Sequence, residues 1–396
     1  MAVEAKATSS APRTPVWRDP AIRSLAIQAL LLVVVLGAGW WLLDNTRQNL
    51  NRQGIASGFG FLDHTAGFAI VMHLIPYSEA SSYGMALGVA LINTLLVTSL
   101  GIFLATVIGF FVGVARLSSN WLVARLAAFY VEALRNVPLL LQIFFWYFAV
   151  LRALPPPRES VTLFGAFFLN LRGLYVPAPV AAPGFGLVLL AGGVALVAAL
   201  GLGLWARRRR VATGQDFPAL AVSLGLLIGL PLLVAAATGF PMSWELPALK
   251  GFNFQGGLVL IPEFVAMVLA ISLYAAAYIA EIVRSGILAV NRGQTEASLA
   301  LGLSPAQTLR LVVVPQALRV IVPPLTSQYL NILKNSSLAA AIAYPELVSV
   351  FAGTVLNQTG QAIEVMAITM AIYLSVSLAI SAFMNWYNGR NALRER

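Results

Sequence analysis

The chain is predicted to be an all-α membrane protein with about eight transmembrane helices, on three observations. Its mean hydropathy is +0.83. Only 10% of its 396 residues are charged. Its apolar residues fall in separate runs, long enough to cross about 30 Å of hydrocarbon at 1.5 Å per residue. A soluble globule of this length needs far more polar surface, so the solvent for most of the chain is lipid.

Taken in order, the first run covers about 24–43 and ends in WWLLDN. With no small-residue cleavage site behind it, Trp40 and Trp41 read as interfacial anchors of an uncleaved span. Further spans are expected at about 88–115, 128–150, 186–205, 218–238, 262–285, 314–334 and 364–387, each near the length a bilayer requires. Pro315, Pro323 and Pro324 are expected to break the seventh, which neighbouring helices or water can tolerate. Before it stands QTEASLALGLSPAQTLRLVVVP, Gln294 to Pro315. This stretch reads as two short helices around a glycine turn. Gly302 ends the first in the left-handed conformation, Ser304 caps the second ahead of Pro305, and Pro315 stops it. It is too polar to insert and too structured for a mere connector, which points to a protein partner.

Composition removes several chemistries. Cys is 0 and His is 2, so thiol chemistry, disulfides, iron–sulfur clusters and a His-rich metal site are excluded. His64 and His73 lie outside the expected spans and read as ordinary surface histidines. The sequence pI near 10.2 raises nucleic acid, but the distribution of basic residues answers differently. With the N-terminus in the cytoplasm, Lys6, Arg13, Arg18, Arg23, Arg116, Arg125, Arg135, Arg207 to Arg210, Arg284, Arg292, Arg310, Arg319, Arg390, Arg394 and Arg396 all fall inside. Only Arg47, Arg52, Arg152, Arg158, Arg172 and Lys250 fall outside. The RRRR run at Arg207 to Arg210 sits between two apolar spans and reads as a topology anchor rather than a nucleic-acid patch.

Few polar residues remain inside the spans. Glu132 and Arg135, like Glu281 and Arg284, stand three apart and can neutralise each other on one helix face, as local ion pairs, as a contact with a partner protein or as a gate. Lys334 has no acid at i±3 or i±4. It must snorkel to the surface, face water, or meet an anion such as a substrate carboxylate, with Asn335, Ser336 and Ser337 as added donors. Asn93 and Gln142 are single amides in apolar runs, of the kind that glue helices together or line a path. No G-x-x-x-x-G-K-[ST] stretch is present, so the chain carries no phosphate-cradling loop of its own. All four aspartates lie outside the expected spans, and no intramembrane catalytic cluster is found.

Several motifs resemble one known family. Glu296, Ala297, Ser298, Gly302, Val312, Val314 and Pro315 fall at the spacings of the Glu-Ala-Ala, glycine and Ile-x-Leu-Pro signature of binding-protein-dependent ABC importer permeases. Ser298, Val312 and Val314 depart from it. YVEALRNVPLLLQIFFWYF (Tyr130 to Phe148), YIAEIVRSGILAVNRGQTEA (Tyr278 to Ala297), PQALRVIVPPL (Pro315 to Leu325) and LNILKNSSLAAAI (Leu330 to Ile342) resemble the polar, general L-amino-acid branch. Val137 replaces an expected Thr there, and Asn335-Ser336 an expected Asp-Thr. The resemblance covers about 88–150 and 262–390.

The resemblance implies a type I ABC importer permease core with a cytoplasmic coupling helix at about 292–313. In that reading Gly293, Gln294, Glu296, Ala297, Ala300, Gly302, Leu303 and Pro315 carry the ATPase coupling. Lys334, Asn335, Ser336, Asn93 and Gln142 are the candidate substrate path or gate. Residues 1–87 form a cytoplasmic tail, first span and periplasmic segment. Residues 88–150 and 262–390 form the two parts of the core, 151–261 an insertion with two extra spans, and 391–396 a cytoplasmic tail. The implied partners are two ATP-binding subunits, a second permease subunit as homo- or heterodimer, a periplasmic amino-acid-binding protein and inner-membrane lipid, with no nucleic acid. ATP and Mg would be bound by the partner ATPase, and this chain would hold no cofactor or metal. An ion-coupled secondary amino-acid transporter is the alternative, with an assembly or anchoring protein as a third class.

Overall fold

Each apolar run becomes helix in the computed structural model of the chain, which describes residues 20–52 and 58–391. The tail residues Lys6, Arg13, Arg18, Arg394 and Arg396 lie outside the described residues. Helix α1 (Pro20–Arg52) is exposed along nearly all of its described length. After a short segment that buries Phe61, Ala66 and Ile70, Ser82 caps α2 (Tyr83–Ala115) by accepting the Met85 N–H. Helix α3 (Trp121–Asn136) is capped by Asn120, whose Oδ1 accepts from the N–H groups of Leu122 and Val123.

The span expected at 128–150 is sharply bent. Helix α4 (Leu139–Phe144), continued by a π-helical turn over Phe145–Leu151, meets α3 at a bend of 104°. Pro138 has no N–H and pushes Val137 to extended geometry, at φ −102° and ψ 126°. Gln142 is buried at this elbow and donates to the carbonyls of Leu134 and Val137, both at 2.9 Å. It satisfies acceptors that the broken helix leaves open.

The insertion adds strands to an otherwise helical chain. β1 (Val161–Leu163), β2 (Phe167–Asn170) and β3 (Gly173–Val176) form a meander. β4 (Ala178–Ala181) leads into α5 (Phe185–Thr213) and α6 (Ala219–Ala237), a hairpin packed on itself. β5 (Met242–Glu245) returns to pair with β4, and β6 (Ala248–Lys250) pairs with β7 (Asn253–Gln255). β8 (Leu258–Leu260) then pairs antiparallel with β3, with Leu174 opposite Leu260.

Helix α7 (Pro262–Leu288) is followed by α8 (Arg292–Ala300) and α9 (Pro305–Thr308). A π-helical turn over Leu309–Val313 carries α9 into α10 (Val314–Asn335). Pro315 therefore sits where the π-helical turn passes into α10, and it does not stop the helix. The expected break at Pro323 and Pro324 is also corrected, because α10 stays helical through both. A 3₁₀ turn (Ser336–Ile342), a π-helical turn (Val348–Val355), α11 (Leu356–Thr359) and α12 (Ala362–Asn391) complete the chain. Among the described residues, seven helices are long and apolar enough to cross a membrane, or eight if the bent pair is one span.

The core is the seam between α2 and α7. Gly101, Ala105, Gly109 and Gly113 recur every fourth residue on one face of α2, so two backbones can approach closely. A methyl group built on Gly109 would lie 2.7 Å from Ile279 Cβ and 2.9 Å from the Ala276 carbonyl oxygen. One built on Gly113 would meet the Ala280 carbonyl oxygen at 2.6 Å. Gly109→Ala is expected to destabilise the protein by about 1–3 kcal/mol through overpacking. Gly37→Ala, in α1 with nothing within 4 Å, is expected to be neutral or slightly stabilising. Thermal unfolding of the purified variants in detergent checks both.

Candidate functional site

Two features converge on α7 and α10. The first is the α8–α9 pair that joins them. Asn291 Oδ1 accepts the Gly293 N–H at 2.8 Å and starts α8. At its end the N–H of Gly302 reaches the Leu299 carbonyl at 2.9 Å, and that of Leu303 reaches the Ser298 carbonyl at 3.2 Å. This pairing needs the left-handed backbone of Gly302, at φ +84°. The next helix opens with a capping box: Ser304 Oγ accepts from Gln307 N–H, and Gln307 Oε1 accepts from Ser304 N–H.

Within the pair, Ser298 and Thr308 are buried and share a 3.0 Å hydrogen bond, which holds α8 against the start of α9. Nearly everything else is exposed. Gly293, Gln294, Glu296, Ala297, Ala300 and Gly302 all face outward, Leu301 is 84% exposed, and Leu303 is half-buried. An internally braced two-helix knob with an open surface is suited to docking, and a push on it reaches α7 and α10 together.

The second feature is a cavity of about 320 Å³ between α7 and α10. Tyr274 and Tyr278 line it from α7, and Gln328, Asn331 and Asn335 line it from α10, with Ile271, Ala275 and Ile332 as its apolar wall. The contributing positions on each helix follow i, i+3, i+4, i+7, so each set forms one face. The two tyrosine hydroxyls lie 3.2 Å apart. The Arg135 guanidinium stacks 5.0 Å from the Tyr278 ring centre. The lining is therefore uncharged hydroxyl and amide, with a cation behind one ring.

One turn beyond Tyr278 is a charge cluster. Glu281 accepts from Arg116, at the end of α2, and from Arg284 Nη2 at 2.5 Å on its own helix. The Glu281–Arg284 pair expected from spacing is thus present, and Arg116 extends it to a second helix. Glu132 and Arg135 form no ion pair with each other. Both side chains are exposed, and Arg135 goes to Tyr278 instead.

The other polar candidates separate. Asn335 lines the cavity. Lys334, one residue earlier, is exposed on a neighbouring face and forms no ion pair with any described residue. Ser336 is fully buried away from the cavity, where its hydroxyl donates to the Leu333 carbonyl and lies 3.3 Å from Tyr373 Oη. Asn93 is fully buried and donates to the carbonyls of Met72 and Pro345 at 2.8 and 2.9 Å, fastening two connections to α2. Gln142 serves the α3–α4 elbow. Tyr274, Tyr278, Gln328 and Asn331 escaped the sequence reading, although the spacing Gln328, Asn331, Asn335 marks a polar helix face.

Glu346 also escaped it. It is fully buried in the connection between the spans, where its carboxylate accepts the N–H groups of Val348 and Ser349 at 2.9 and 2.7 Å and the Tyr373 hydroxyl at 3.2 Å. Burial pushes its carboxyl up to about 7, against the pull of these donors. The folded state thus holds this proton more tightly than the unfolded chain does. The resulting stabilisation is complete below the ordinary carboxylate range and is lost as pH rises through about 7. Wild type in detergent is expected to lose up to about 3 kcal/mol of stability from this group between pH 5 and 8. Glu346→Gln should flatten that part of the pH profile, and parallel wild-type and variant profiles would refute the assignment.

The family model for the binding-protein-dependent transport system inner membrane component matches residues 226–392. Three relatives span nearly the whole chain. It is 55% identical over 380 residues (96% of this chain, 97% of the relative) to an Escherichia coli (strain K12) protein named as an amino-acid ABC transporter permease, YhdX. It is 52% identical over 378 residues (96% and 94%) to the general L-amino acid transport system permease protein AapQ of Rhizobium johnstonii. It is 40% identical over 410 residues (96% and 96%) to the glutamate/glutamine/aspartate/asparagine transport system permease protein BztB of Rhodobacter capsulatus.

Proposed function

We propose a working mechanism for this chain from the premise that it belongs to the family of binding-protein-dependent transport system inner membrane components. It is the permease subunit of an ATP-driven importer of L-amino acids. The names of its relatives support a polar or broad range of cargo. A periplasmic binding protein delivers the amino acid, and ATP with Mg is bound and hydrolysed by two partner subunits.

The observation that carries this reading is a continuity of the backbone. The two helices that line the polar cavity, α7 and α10, are the two joined by the exposed α8–α9 pair. A partner ATPase gripping α8 through Glu296, Ala297 and Ala300 therefore moves both cavity walls at once. The braced turn at Gly302 and the start of α10 at Pro315 pass that motion on. Tyr274, Tyr278, Gln328, Asn331 and Asn335 offer hydroxyls and amides to a zwitterion along the path, an uncharged lining that releases as readily as it binds. Membrane orientation follows the positive-inside bias, with α8–α9 in the cytoplasm and the strands of the insertion outside.

A second permease subunit completes the pathway. Ser327, Asn331 and Lys334 are exposed along α10 although the helix lies in a span. Polar groups at membrane depth are placed against protein or water rather than acyl chains, so a related subunit covers this stripe. Lys334 then meets the substrate carboxylate or an acid of that partner.

Two tests separate coupling from path. Gly302→Pro and Glu296→Arg should cut ATP-driven uptake at least tenfold at unchanged membrane abundance, because one breaks the left-handed turn and the other reverses an exposed docking charge. Normal uptake in both would remove the coupling assignment. Asn331→Leu and Lys334→Met should lower uptake of every amino acid tested while the ATPase still copurifies. Uptake that ignores ATP and stops when the proton and sodium gradients collapse would favour an ion-coupled carrier.

A further inference from the structure

We propose that Arg207 and Arg208, at the tip of the α5–α6 hairpin, clasp the phosphate of an anionic phospholipid. The argument begins with what each of the four consecutive arginines touches. Arg209 donates to Gln215 Oε1 at 3.0 Å and stacks 5.3 Å from the Trp205 ring centre. Arg210 pairs with Asp216 at 3.0 Å. Both are tied to the hairpin turn, whose Phe217 meets Trp205 edge-on at 5.3 Å. Arg207 and Arg208 form neither an ion pair nor a side-chain hydrogen bond with any described residue.

Helix geometry says where these two point. At 100° per residue, Arg207 and Arg208 bracket the face that carries Val197, Leu200 and Leu204, which are 71%, 63% and 64% exposed. The opposite face holds Ala191, Ala195 and Ala206, the buried residues of α5. The unpaired arginines thus stand directly above the apolar surface that α5 turns to lipid. The aromatic pair Trp205 and Phe217 places that level at the membrane–water boundary, where indole rings settle. The outermost lipids against Val197, Leu200 and Leu204 carry their phosphates at the height of these two guanidiniums. A guanidinium presents paired donors to a phosphate, and two adjacent ones without internal partners favour a headgroup with net negative charge over a zwitterionic one. Topology anchoring alone explains the charge of the run but not its division into a paired half and a lipid-facing half.

The test uses the full-length chain in detergent, with native mass spectrometry of its complexes with phosphatidylglycerol or phosphatidylcholine of the same acyl chains. Wild type is expected to hold phosphatidylglycerol several-fold more tightly, a preference that high salt weakens. Arg207→Gln with Arg208→Gln should weaken phosphatidylglycerol binding by about fivefold for each arginine removed. Arg209→Gln with Arg210→Gln removes the same charge from the tied pair and should have less than half that effect. Should the first double variant fail to insert, Arg207→Lys with Arg208→Lys keeps the charge and loses the paired donors, and intermediate binding is expected. Equal binding of the two lipids by wild type overturns the proposal. So does equal loss in both glutamine variants, or displacement of phosphatidylglycerol by inorganic phosphate at matched concentration.

Discussion

Everything in this permease depends on how closely α2 and α7 approach. In lipid the hydrophobic effect does not drive two apolar helices together, so association rests on packing of small residues and on a few polar contacts. Gly101, Ala105, Gly109 and Gly113 remove the side chains that would hold the helices apart, and Ala276, Ile279, Ala280 and Val283 fill the groove they leave. At one end of the seam the Arg116–Glu281–Arg284 cluster adds the polar clamp. Helix α7 is thereby fixed along one side, while its other face supplies Tyr274 and Tyr278 to the cavity and its end leads into the exposed α8–α9 pair. A helix that serves three purposes has to be held firmly on the side that serves none of them.

The same economy governs charge. Glu281 has two arginines. Glu346 has two backbone N–H groups and a tyrosine hydroxyl. In a medium where an uncompensated carboxylate is costly, these two acids are matched by donors within the chain. Lys334 is the contrast, a cation in a span that forms no ion pair with any described residue.

Local chemistry was the most legible part. The left-handed Gly302 and the Ser304–Gln307 box are written in neighbouring residues, and the turn forms where they stand. Apolar runs located the spans for the same reason. Hydropathy averages across a proline, however, so the 104° elbow at Pro138 lies unmarked inside the span expected at 128–150. The converse error befell Pro323 and Pro324, which helix packing tolerates. Strands of three or four residues, such as β6 and β7, are too short for a period of two to register. Burial of Glu346 is decided by α2 and α12, far away in sequence, and no local pattern announces it. At the cavity, Lys334 attracted attention by its charge, while the face it borders, Gln328, Asn331 and Asn335, carries the quieter signal.

The pairing of β3 with β8 bears on the history and manufacture of the molecule. The chain leaves the core through β3 and re-enters it through the adjacent antiparallel strand β8, two residues before α7 begins. Whatever lies between those strands hangs from a closed base, and its length does not alter where the core chain resumes. An antiparallel pair of helices with its own turn can thus be acquired, exchanged or lost as one cassette while the seam and the cavity keep their register. During synthesis α5 and α6 are made before β8, so the base closes only once the hairpin is complete, and α2 awaits its partner α7 across the interval.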